Sequence, residues 1–338
     1  MTDARPTTLT FALLAFVVAV SIPLVLGLLN DLHPALDSFA QFRAHLAVVL
    51  ALSSMPLLFT SLRMRGLAAL VLSIGAFSTT LDPSKPPFSP SEAEAGIVSS
   101  GGAVYRLLQI NLRYDNAAPE KVLSLIGRTQ PDVITLNEVS LMWAERLQLL
   151  SARYPYGITC PSGSPVGGVS ILSRRPLAGN REPRCFDGGS LAIAGIDFGG
   201  VDVDVAALHL DWPWPYGQQE QLKRLGAPLG SLGQTALLAG DFNAVPWSAT
   251  SEGVARAGGL ARDARIGPTW LDRRLPASLR PVIGLPIDHV MSKGAITLRS
   301  ARVLDEAGSD HLPVLAEFTV APAGEPTVRQ AALDRPLR

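Results

Sequence analysis

The chain has 338 residues, of which 47% are hydrophobic, and its 29 basic residues balance its 29 acidic residues. This length accommodates one large α/β domain and a smaller region beside it. Proteins that bind nucleic acid by neutralising phosphates usually carry a basic patch, and Lys and Arg occur here in nothing longer than pairs. The composition therefore argues against a dedicated, non-specific DNA-binding protein.

Three apolar runs lie within residues 1–81. They are 21 residues (Leu9–Leu29), 19 residues (Ala44–Leu62) and 16 residues (Gly66–Leu81) without a formal charge. About 20 apolar residues cross the hydrocarbon core at about 1.5 Å per residue. We predict about three transmembrane helices; the alternatives are a cleaved signal peptide for the first run and a buried helix pair for the others.

The charges flanking these runs predict an orientation. Arg63 and Arg65 lie in the second short loop, whereas Asp31 and Asp37 lie in the first. Positive loops stay on the cytoplasmic side, so the chain after Leu81 is predicted to be extracytoplasmic. Residues 82–102, rich in Pro and Ser, are predicted to be a linker, 103–321 a catalytic domain and 322–338 a disordered tail.

The two cysteines, Cys160 and Cys185, lie 25 positions apart in the predicted extracytoplasmic part. In an oxidising compartment they could form a disulfide, which would stabilise the domain by about 3 kcal/mol. The alternative is two separate buried thiols.

In the predicted catalytic domain, residues 103–321, the periodicity of apolar residues predicts strands and helices in alternation, followed by strands with few helices between them. The predicted strands are Tyr105–Ile110, Val133–Leu136, Gly168–Ser173, Leu191–Phe198, Val201–Leu210, Ala236–Ala239, Ile287–Met291, Ile296–Val303 and Pro313–Val320. The predicted helices are Pro119–Thr129, Leu141–Ala152 and Gln218–Leu229. Gly199 and Gly200 suit a two-residue hairpin. Two packed sheets flanked by helices are the expected architecture.

Polar residues cluster where the apolar strands end. They are Asn111, Glu138, His209, Asp211, Asp241, Asn243, Asp288, His289, Asp310 and His311. Each has an ordinary interpretation by itself, as a turn or a structural histidine. Together they include three of the five histidines of the chain. Loops at strand ends are common places for active sites, so we expect these side chains to form one.

The segments that carry these residues resemble the motif series of the endonuclease/exonuclease/phosphatase (DNase I-like) superfamily. They are Gln109-Ile110-Asn111, Asn137-Glu138-Val139, Leu208-His209-Leu210, Gly240-Asp241-Phe242-Asn243, Ile287-Asp288-His289 and Ser309-Asp310-His311-Leu312-Pro313-Val314. The superfamily includes pancreatic-type DNases, abasic-site endonucleases, inositol polyphosphate 5-phosphatases and bacterial sphingomyelinases. The resemblance covers about residues 103–320 and implies a four-layer α/β/β/α sandwich.

The order of predicted membrane helices followed by this domain resembles that of a bacterial membrane-anchored subgroup, and so does the segment His209–Pro215. Its relatives include a teicoplanin-resistance membrane phosphohydrolase thought to act on isoprenoid diphosphates. This resemblance implies a multi-pass protein of the bacterial inner membrane and a phosphorylated substrate, with lipid-linked phosphates as one class.

The superfamily resemblance also implies a bound Mg²⁺, with Mn²⁺ as an alternative, and hard oxygen ligands suit this ion. The implied metal-binding residues are Glu138 as principal ligand, with Asn111 and Asp310 nearby. The implied catalytic residues are Asp241 to orient or deprotonate water, Asn243 to position water or phosphate, Asp288 to hold His311, and His209 to contact the scissile phosphate from the opposite side.

Substrate binding is assigned to Asp211, Trp212 and Trp214, which lie shortly after His209 in the chain. Core packing and the bilayer interface are alternative environments for the two tryptophans. Three positions depart from the superfamily pattern: Asn137 replaces a frequent Gln, Arg113 stands where abasic-site enzymes carry an acidic residue, and His289 replaces a frequent Tyr or Arg. The change at Arg113 argues against abasic-site specificity.

The sequence thus predicts a membrane-anchored, metal-dependent hydrolase of a membrane-associated phosphate or diphosphate. A membrane-tethered nuclease is the second hypothesis, and the near-neutral charge counts against nucleic acid as a partner. A non-catalytic scaffold is the third.

Overall fold

A computed structural model describes residues 7–81, 103–179, 181–262 and 266–322. The predicted linker, and all but the first residue of the predicted tail, lie outside the described residues. The strands are β1 (Val104–Asn111), β2 (Val133–Val139), β3 (Tyr156–Cys160), β4 (Gly168–Ser173), β5 (Arg184–Phe186), β6 (Leu191–Asp197), β7 (Asp202–His209), β8 (Ala236–Asp241), β9 (Asp288–Lys293), β10 (Ile296–Val303) and β11 (Val314–Val320).

Nine α-helices occur in the described part of the chain. They are α1 (Thr8–Leu28), α2 (Pro34–Ala40), α3 (Arg43–Ser54), α4 (Arg63–Ser78), α5 (Pro119–Thr129), α6 (Leu141–Leu147), α7 (Gln218–Gly230), α8 (Ala249–Gly258) and α9 (Arg280–Ile283). The predicted helix Leu141–Ala152 is shorter than expected, because its second half is a 3-10 turn at Gln148–Leu150.

The strands form two sheets. One has six strands in the order β10-β11-β1-β2-β4-β3, and the other has five in the order β5-β6-β7-β8-β9. The pairs β1–β2 and β7–β8 are parallel, whereas the remaining pairs are antiparallel. The carboxyl ends of four central strands therefore meet at one end of the structure.

Three apolar clusters define four layers. The first fills the space between the sheets and includes Leu107, Val205 and Leu237. The second joins the outer face of the six-stranded sheet to α5 and α6, and the third joins the outer face of the five-stranded sheet to α7 and α8. The predicted two-sheet α/β sandwich is confirmed.

The turn between β6 and β7 follows from its two glycines. The amide of Phe198 donates to the carbonyl of Val201 at 3.0 Å, which leaves Gly199 and Gly200 as the turn residues. Their φ angles are +72° and +89°, a region that glycine enters without steric cost.

Strands β3 and β5 were not predicted from the sequence. Both lie at sheet edges, and each has mostly exposed or half-exposed side chains, so neither shows an apolar alternation. A disulfide between Cys160 at the end of β3 and Cys185 in β5 joins the two sheets, with 5.5 Å between the Cα atoms.

Residues 7–81 form a separate group of helices, in which α1, α3 and α4 pack around an apolar cluster. Only α1 is long and apolar enough to cross a membrane among the described helices; a bent pair, Pro34–Ala40 with Arg43–Phe59, adds a second if counted as one broken span. The prediction of about three transmembrane helices is therefore wrong, because the second and third apolar runs do not each form one helix of sufficient length. The second apolar run leaves the α-helix at Ser54, before Pro56, and the 16 residues of α4 extend about 24 Å, short of about 30 Å.

The short helix α2 lies against the sandwich, between the ends of α1 and α3. Asn30 donates to the carbonyl of Trp247 at 3.2 Å, and the Trp247 indole donates to the carbonyl of Ala40 at 2.7 Å. The side chain of Gln41 accepts from the amide of Val245 at 2.9 Å. These contacts join residues more than 200 positions apart, and no local sequence pattern predicted them.

Candidate active site

The strand-end residues predicted from the sequence converge at one end of the sandwich. Alternate residues of β1, β2, β7 and β8 face the space between the sheets, and this face ends in polar side chains. These polar residues are Asn111, Glu138, His209, Asp241, Asn243, Asp288, Asp310 and His311.

Asn111 and Glu138 lie at the carboxyl ends of the parallel strands β1 and β2. Glu138 has φ +57°, and the pairing of β2 with β4 shifts register between Leu136 and Val139. A left-handed non-glycine residue costs about 1–3 kcal/mol and is concentrated at functional sites. The carboxylate of Glu138 accepts hydrogen bonds from Asn111 Nδ2 at 3.1 Å and from the Tyr114 amide at 2.9 Å. Burial raises the pKa of Glu138 against the lowering effect of these donors.

Asp241 and Asn243 follow β8. Gly240 permits this arrangement, since a Cβ there would overlap the carbonyl oxygen of Leu208 on β7. Asp241 Oδ1 accepts from the Asn243 amide at 2.8 Å, and Oδ2 accepts from Asn111 Nδ2 at 2.9 Å. Burial raises the pKa of Asp241 to about 6, although the nearby imidazole of His311 acts to lower it.

His311 and Asp288 form a buried ion pair, with 2.9 Å between Nδ1 and Oδ2. Burial opposes the charge on His311, but the carboxylates of Asp288 and Asp241 outweigh it and raise its pKa to about 10. Burial would likewise raise the pKa of Asp288, but the His311 charge and hydrogen bonds lower it. His311 is therefore an imidazolium at neutral pH.

His209 differs from His311 in charge. Its Nε2 lies 3.8 Å from Asp241 Oδ2, and His311 Nε2 lies 3.6 Å from the same oxygen. Burial lowers the pKa of His209, and the positive His311 lowers it further, while Asp241 acts in the opposite direction. The site thus presents a neutral and a cationic imidazole around one carboxylate.

A hydrogen-bond network between the sheets fixes these groups, and its residue Gln109 was missed as a site residue. Gln109 Nε2 donates to Asp288 Oδ1 at 2.9 Å and to Asn137 Oδ1 at 3.1 Å. Asn137 donates to the carbonyl of Leu208 at 3.0 Å and accepts from the Asp241 amide at 2.9 Å. A buried amide in an otherwise apolar strand was the available signal, because such a group needs partners.

His289 supports the site from behind and does not line the pocket. Its Nε2 bonds the carbonyl of Ala244 at 2.7 Å, and its ring stacks on Phe242 with 4.4 Å between centroids. Burial lowers the pKa of His289 to about 4, so it is neutral and Nε2 carries the donated proton.

Two sets of residues could hold a metal ion. Ligand atoms of Asp241, Asp288 and His311 lie within 4.8 Å of one another. Nδ1 of His311 is already bonded to Asp288 Oδ2 at 2.9 Å, so this set is better described as an ion pair beside a carboxylate. Glu138 Oε1 and Asp241 Oδ2 instead converge on one amide nitrogen of Asn111, at 3.1 and 2.9 Å. Asp241 is paired with the histidines, so the second set is Glu138 and the adjacent Asn111, with Asp310 lining the same pocket as Glu138. Carboxylate and amide oxygens fit a hard divalent cation.

The site opens into a pocket of about 660 Å³. Glu138, His209, Asp241, Asn243, Asp310 and His311 line its inner end, with Asp211 and Trp212 beside them. Trp212 is half-exposed and meets Trp270 edge-on at 5.7 Å between centroids. Trp214 does not line the pocket; its carbonyl accepts from Ser38 of α2 at 3.0 Å.

Polar residues close in sequence to the disulfide also line the pocket. They include Ser162 and Ser164 after Cys160, and Asp187 after Cys185, together with Arg224 of α7. Arg224 Nε and Asp187 Oδ1 are 2.5 Å apart. Sequence reasoning missed these residues, since they belong to no recognisable motif.

The sequence profile of the Endonuclease/Exonuclease/phosphatase family matches residues 108–311. No curated protein matches the chain. Among solved structures, an endonuclease/exonuclease/phosphatase from Bacteroides vulgatus is similar, with a TM-score of 0.53 and 17% identity over 65% of this chain and 100% of that one.

Two further structures share the fold. One is an endonuclease/exonuclease/phosphatase from Beutenbergia cavernae, with a TM-score of 0.51 and 22% identity over 65% of this chain and 72% of that one. The other is D. rerio TDP2 complexed with a single-strand DNA product, with a TM-score of 0.51 and 17% identity over 64% of this chain and 100% of that one.

Proposed function

Because this chain belongs to the Endonuclease/Exonuclease/phosphatase family, we propose that it is a Mg²⁺-dependent phosphoester hydrolase acting on a membrane-associated phosphate or diphosphate. The observation that carries the proposal is the convergence of Glu138, His209, Asp241 and His311 at the inner end of one pocket. Phosphoester hydrolysis needs a group that accepts a proton from water and positive charge near the phosphoryl oxygens. This constellation offers both.

Asp241 is the group we assign to the attacking water. Its pKa of about 6 leaves it ionised at neutral pH and still basic enough to take a proton. The amide of Asn243 and the side chain of Asn111 both bond this carboxylate, so its orientation is fixed before substrate arrives.

The two histidines are assigned to the phosphate. The imidazolium of His311, held by Asp288, supplies positive charge and an Nε2–H donor at the pocket wall. His209 is neutral, so it supplies a hydrogen bond without a second full charge. Donors on two sides of a phosphoryl group stabilise the charge that grows on its oxygens in the transition state.

A metal ion completes the chemistry, and we assign it to Glu138, Asn111 and Asp310. When bound, Mg²⁺ supplies charge neutralisation at the phosphate and an electrophile for its oxygens. Mn²⁺ has the same preference for oxygen ligands and is the alternative.

The membrane part of the proposal is supported by the surface of α1. Several of its large apolar side chains are about half-exposed or more, among them Phe11, Phe16 and Ile22. Apolar surface of this extent marks contact with a partner or a membrane. We assign α1 as the anchor, with its amino-terminal end in the cytoplasm.

Two features support an extracytoplasmic domain. Asn30, directly after α1, contacts the catalytic domain, so the domain lies at the carboxyl-terminal end of this helix. The disulfide between Cys160 and Cys185 is typical of an extracytoplasmic domain.

The test is phosphate release or bond cleavage by the full-length protein in detergent micelles with Mg²⁺. The substrates are an isoprenoid diphosphate, a phospholipid, an inositol phosphate and supercoiled plasmid DNA. Cleavage of a lipid phosphate that His311→Ala abolishes supports the proposal. Nicking of plasmid alone favours a membrane-tethered nuclease, and no cleavage of any substrate favours a non-catalytic scaffold.

A further inference from the structure

We infer that Asp37, in the short helix between α1 and α3, is a positioning residue for the catalytic segment Asp241–Asn243, an inference that rests on the hydrolase activity proposed above. Asp37 is 2% exposed, although its helix α2 is part of the short loop region between the apolar helices α1 and α3. A buried carboxylate is costly unless donors satisfy it, so its partners are informative.

The partners of Asp37 belong to the start of α8. Oδ1 accepts from the Ala249 amide at 2.8 Å, and Oδ2 accepts from the Thr250 amide at 3.1 Å. The first amides of a helix have no partner within the helix, and an acidic group there also interacts favourably with the helix dipole. Ser248 caps the same helix through the Ser251 amide, so Asp37 satisfies two donors that the local cap leaves free.

A second connection runs from Asp37 towards the active site. Thr250 Oγ1 lies 2.9 Å from Asp37 Oδ2 and 2.9 Å from Gln218 Oε1. A hydroxyl carries one proton, so Thr250 donates to one of these oxygens at a time. Both Thr250 and Gln218 are buried, at 0% and 1% exposure, and water does not compete for these bonds.

Gln218 completes the connection. Its Nε2 lies within hydrogen-bonding distance of three carbonyl groups, at 2.9 Å from Asp211, 3.1 Å from Phe242 and 3.2 Å from Asn243. Phe242 and Asn243 follow Asp241 directly, and the Asn243 amide holds Asp241 Oδ1. A shift of Gln218 therefore moves the backbone that aims the proposed proton acceptor.

Asn243 also has φ +48°, a strained conformation that the surroundings must maintain. Next to it, the amide of Val245 bonds Gln41, which follows α2. The helix region before α3 thus contacts the loop 243–250 at both ends, through Gln41 and through Asp37. The catalytic segment is shaped partly by residues outside the sandwich.

The experiment compares Asp37→Ala and Asp37→Asn in the full-length protein, with bis(p-nitrophenyl) phosphate and Mg²⁺ as the probe reaction. Asp31→Asn is the matched control, since Asp31 is an exposed carboxylate in the same loop. We expect Asp37→Ala to lower kcat about tenfold to a hundredfold with KM within about twofold, because small displacements of catalytic groups have effects of this size. Asp37→Asn keeps one acceptor and is expected to lose less, and Asp31→Asn nothing.

Thr250→Val separates positioning from simple helix capping. It removes the hydroxyl but leaves both backbone amides bonded to Asp37. A capping role alone predicts an unchanged kcat, whereas the connection through Gln218 predicts a lower kcat that is not additive with Asp37→Asn. An unchanged kcat in both Asp37→Ala and Thr250→Val would overturn the inference.

Hydrogen–deuterium exchange tests the same inference without turnover. Asp37→Ala is expected to accelerate exchange in the peptide covering 241–250, and unchanged exchange there overturns the inference. A wild-type protein that hydrolyses nothing contradicts the proposed function, and the exchange result then decides the role of Asp37 by itself.

Discussion

Nδ1 of His311 lies 2.9 Å from Oδ2 of Asp288, and the two residues are 23 positions apart in the chain. Both are buried, and a second oxygen of Asp288 is held by Gln109 from the other sheet. The positive charge on the imidazole of His311 therefore depends on the packing of the two sheets, which places Asp288 beside it. The first prediction follows from this pair.

Asp288→Asn is expected to lower kcat by about a hundredfold or more, because the amide cannot stabilise an imidazolium at His311. The pKa of His311 is raised to about 10 mainly by Asp288 and Asp241, so it should fall in the variant. If the reaction needs the imidazolium of His311, the alkaline limb of the pH profile should move to a lower pH in the variant than in the wild type. The pH profile of kcat measures this shift, with exposed Asp202→Asn as control; an unshifted alkaline limb contradicts it.

Glu138→Gln is expected to raise the Mg²⁺ concentration needed for half-maximal activity by at least about tenfold, because a neutral amide binds Mg²⁺ less strongly than a carboxylate. Chelation of the metal should abolish the wild-type activity, and added Mg²⁺ should restore it. The magnesium dependence of the initial rate is the measurement. Glu145→Gln, which changes an exposed carboxylate on α6, is the control. Equal magnesium requirements in Glu138→Gln and the wild type would remove Glu138 from the metal site.

His289 predicts a dependence of stability on pH. Its pKa is about 4 in the folded protein, against 6.5 for an unperturbed histidine, because the ring is buried. The unfolded state therefore gains a proton first as the pH falls, and stability is lost between pH 6.5 and about 4. Between pH 6.5 and 5 this loss is about 2 kcal/mol.

His289→Gln keeps a donor for the carbonyl of Ala244 and has no titratable group. The variant should lack this part of the pH dependence. Denaturant unfolding of both proteins in detergent at pH 7 and pH 5 measures the difference. Parallel losses of stability in the two proteins would show that His289 already titrates normally in the fold.

Gly240→Ala is expected to destabilise the domain by about 1–3 kcal/mol, because the new Cβ forces β7 and β8 apart at Leu208. The same separation should lower kcat, since Asp241 is the next residue. Gly127→Ala is the matched control: Gly127 lies in α5 with open space at the Cβ position, so alanine should stabilise by about 0.5–1 kcal/mol. Thermal unfolding measures both changes, and equal melting temperatures for the two variants contradict the argument.

The sequence predicted the parts of the fold that depend on local sequence patterns. Helix α5 was predicted to the residue, because Pro119 begins it and Val122, Leu125 and Ile126 mark its buried face. Polar residues after buried strands located Asn111, Glu138 and Asp241 together, since strand ends in one sandwich share an edge.

What the sequence did not predict depends on contacts between distant residues. The edge strand β5 has three residues and no buried face, so it lacks a periodic signal. The role of Gln109 depends on Asp288, which lies 179 positions away. The contact of Asp37 with Thr250 spans 213 positions, and Asp37 by itself resembles an ordinary loop carboxylate.

The docking of α2 on the sandwich has a consequence for how the enzyme meets its substrate. A domain on a free tether samples a hemisphere around its anchor, whereas Asn30, Asp37 and Gln41 fix this domain relative to α1 and α3. For the proposed anchor α1, we therefore expect the pocket to stay at one distance from the lipid surface. We expect the search for phosphates then to be two-dimensional, with a phosphate presented at a different depth out of reach.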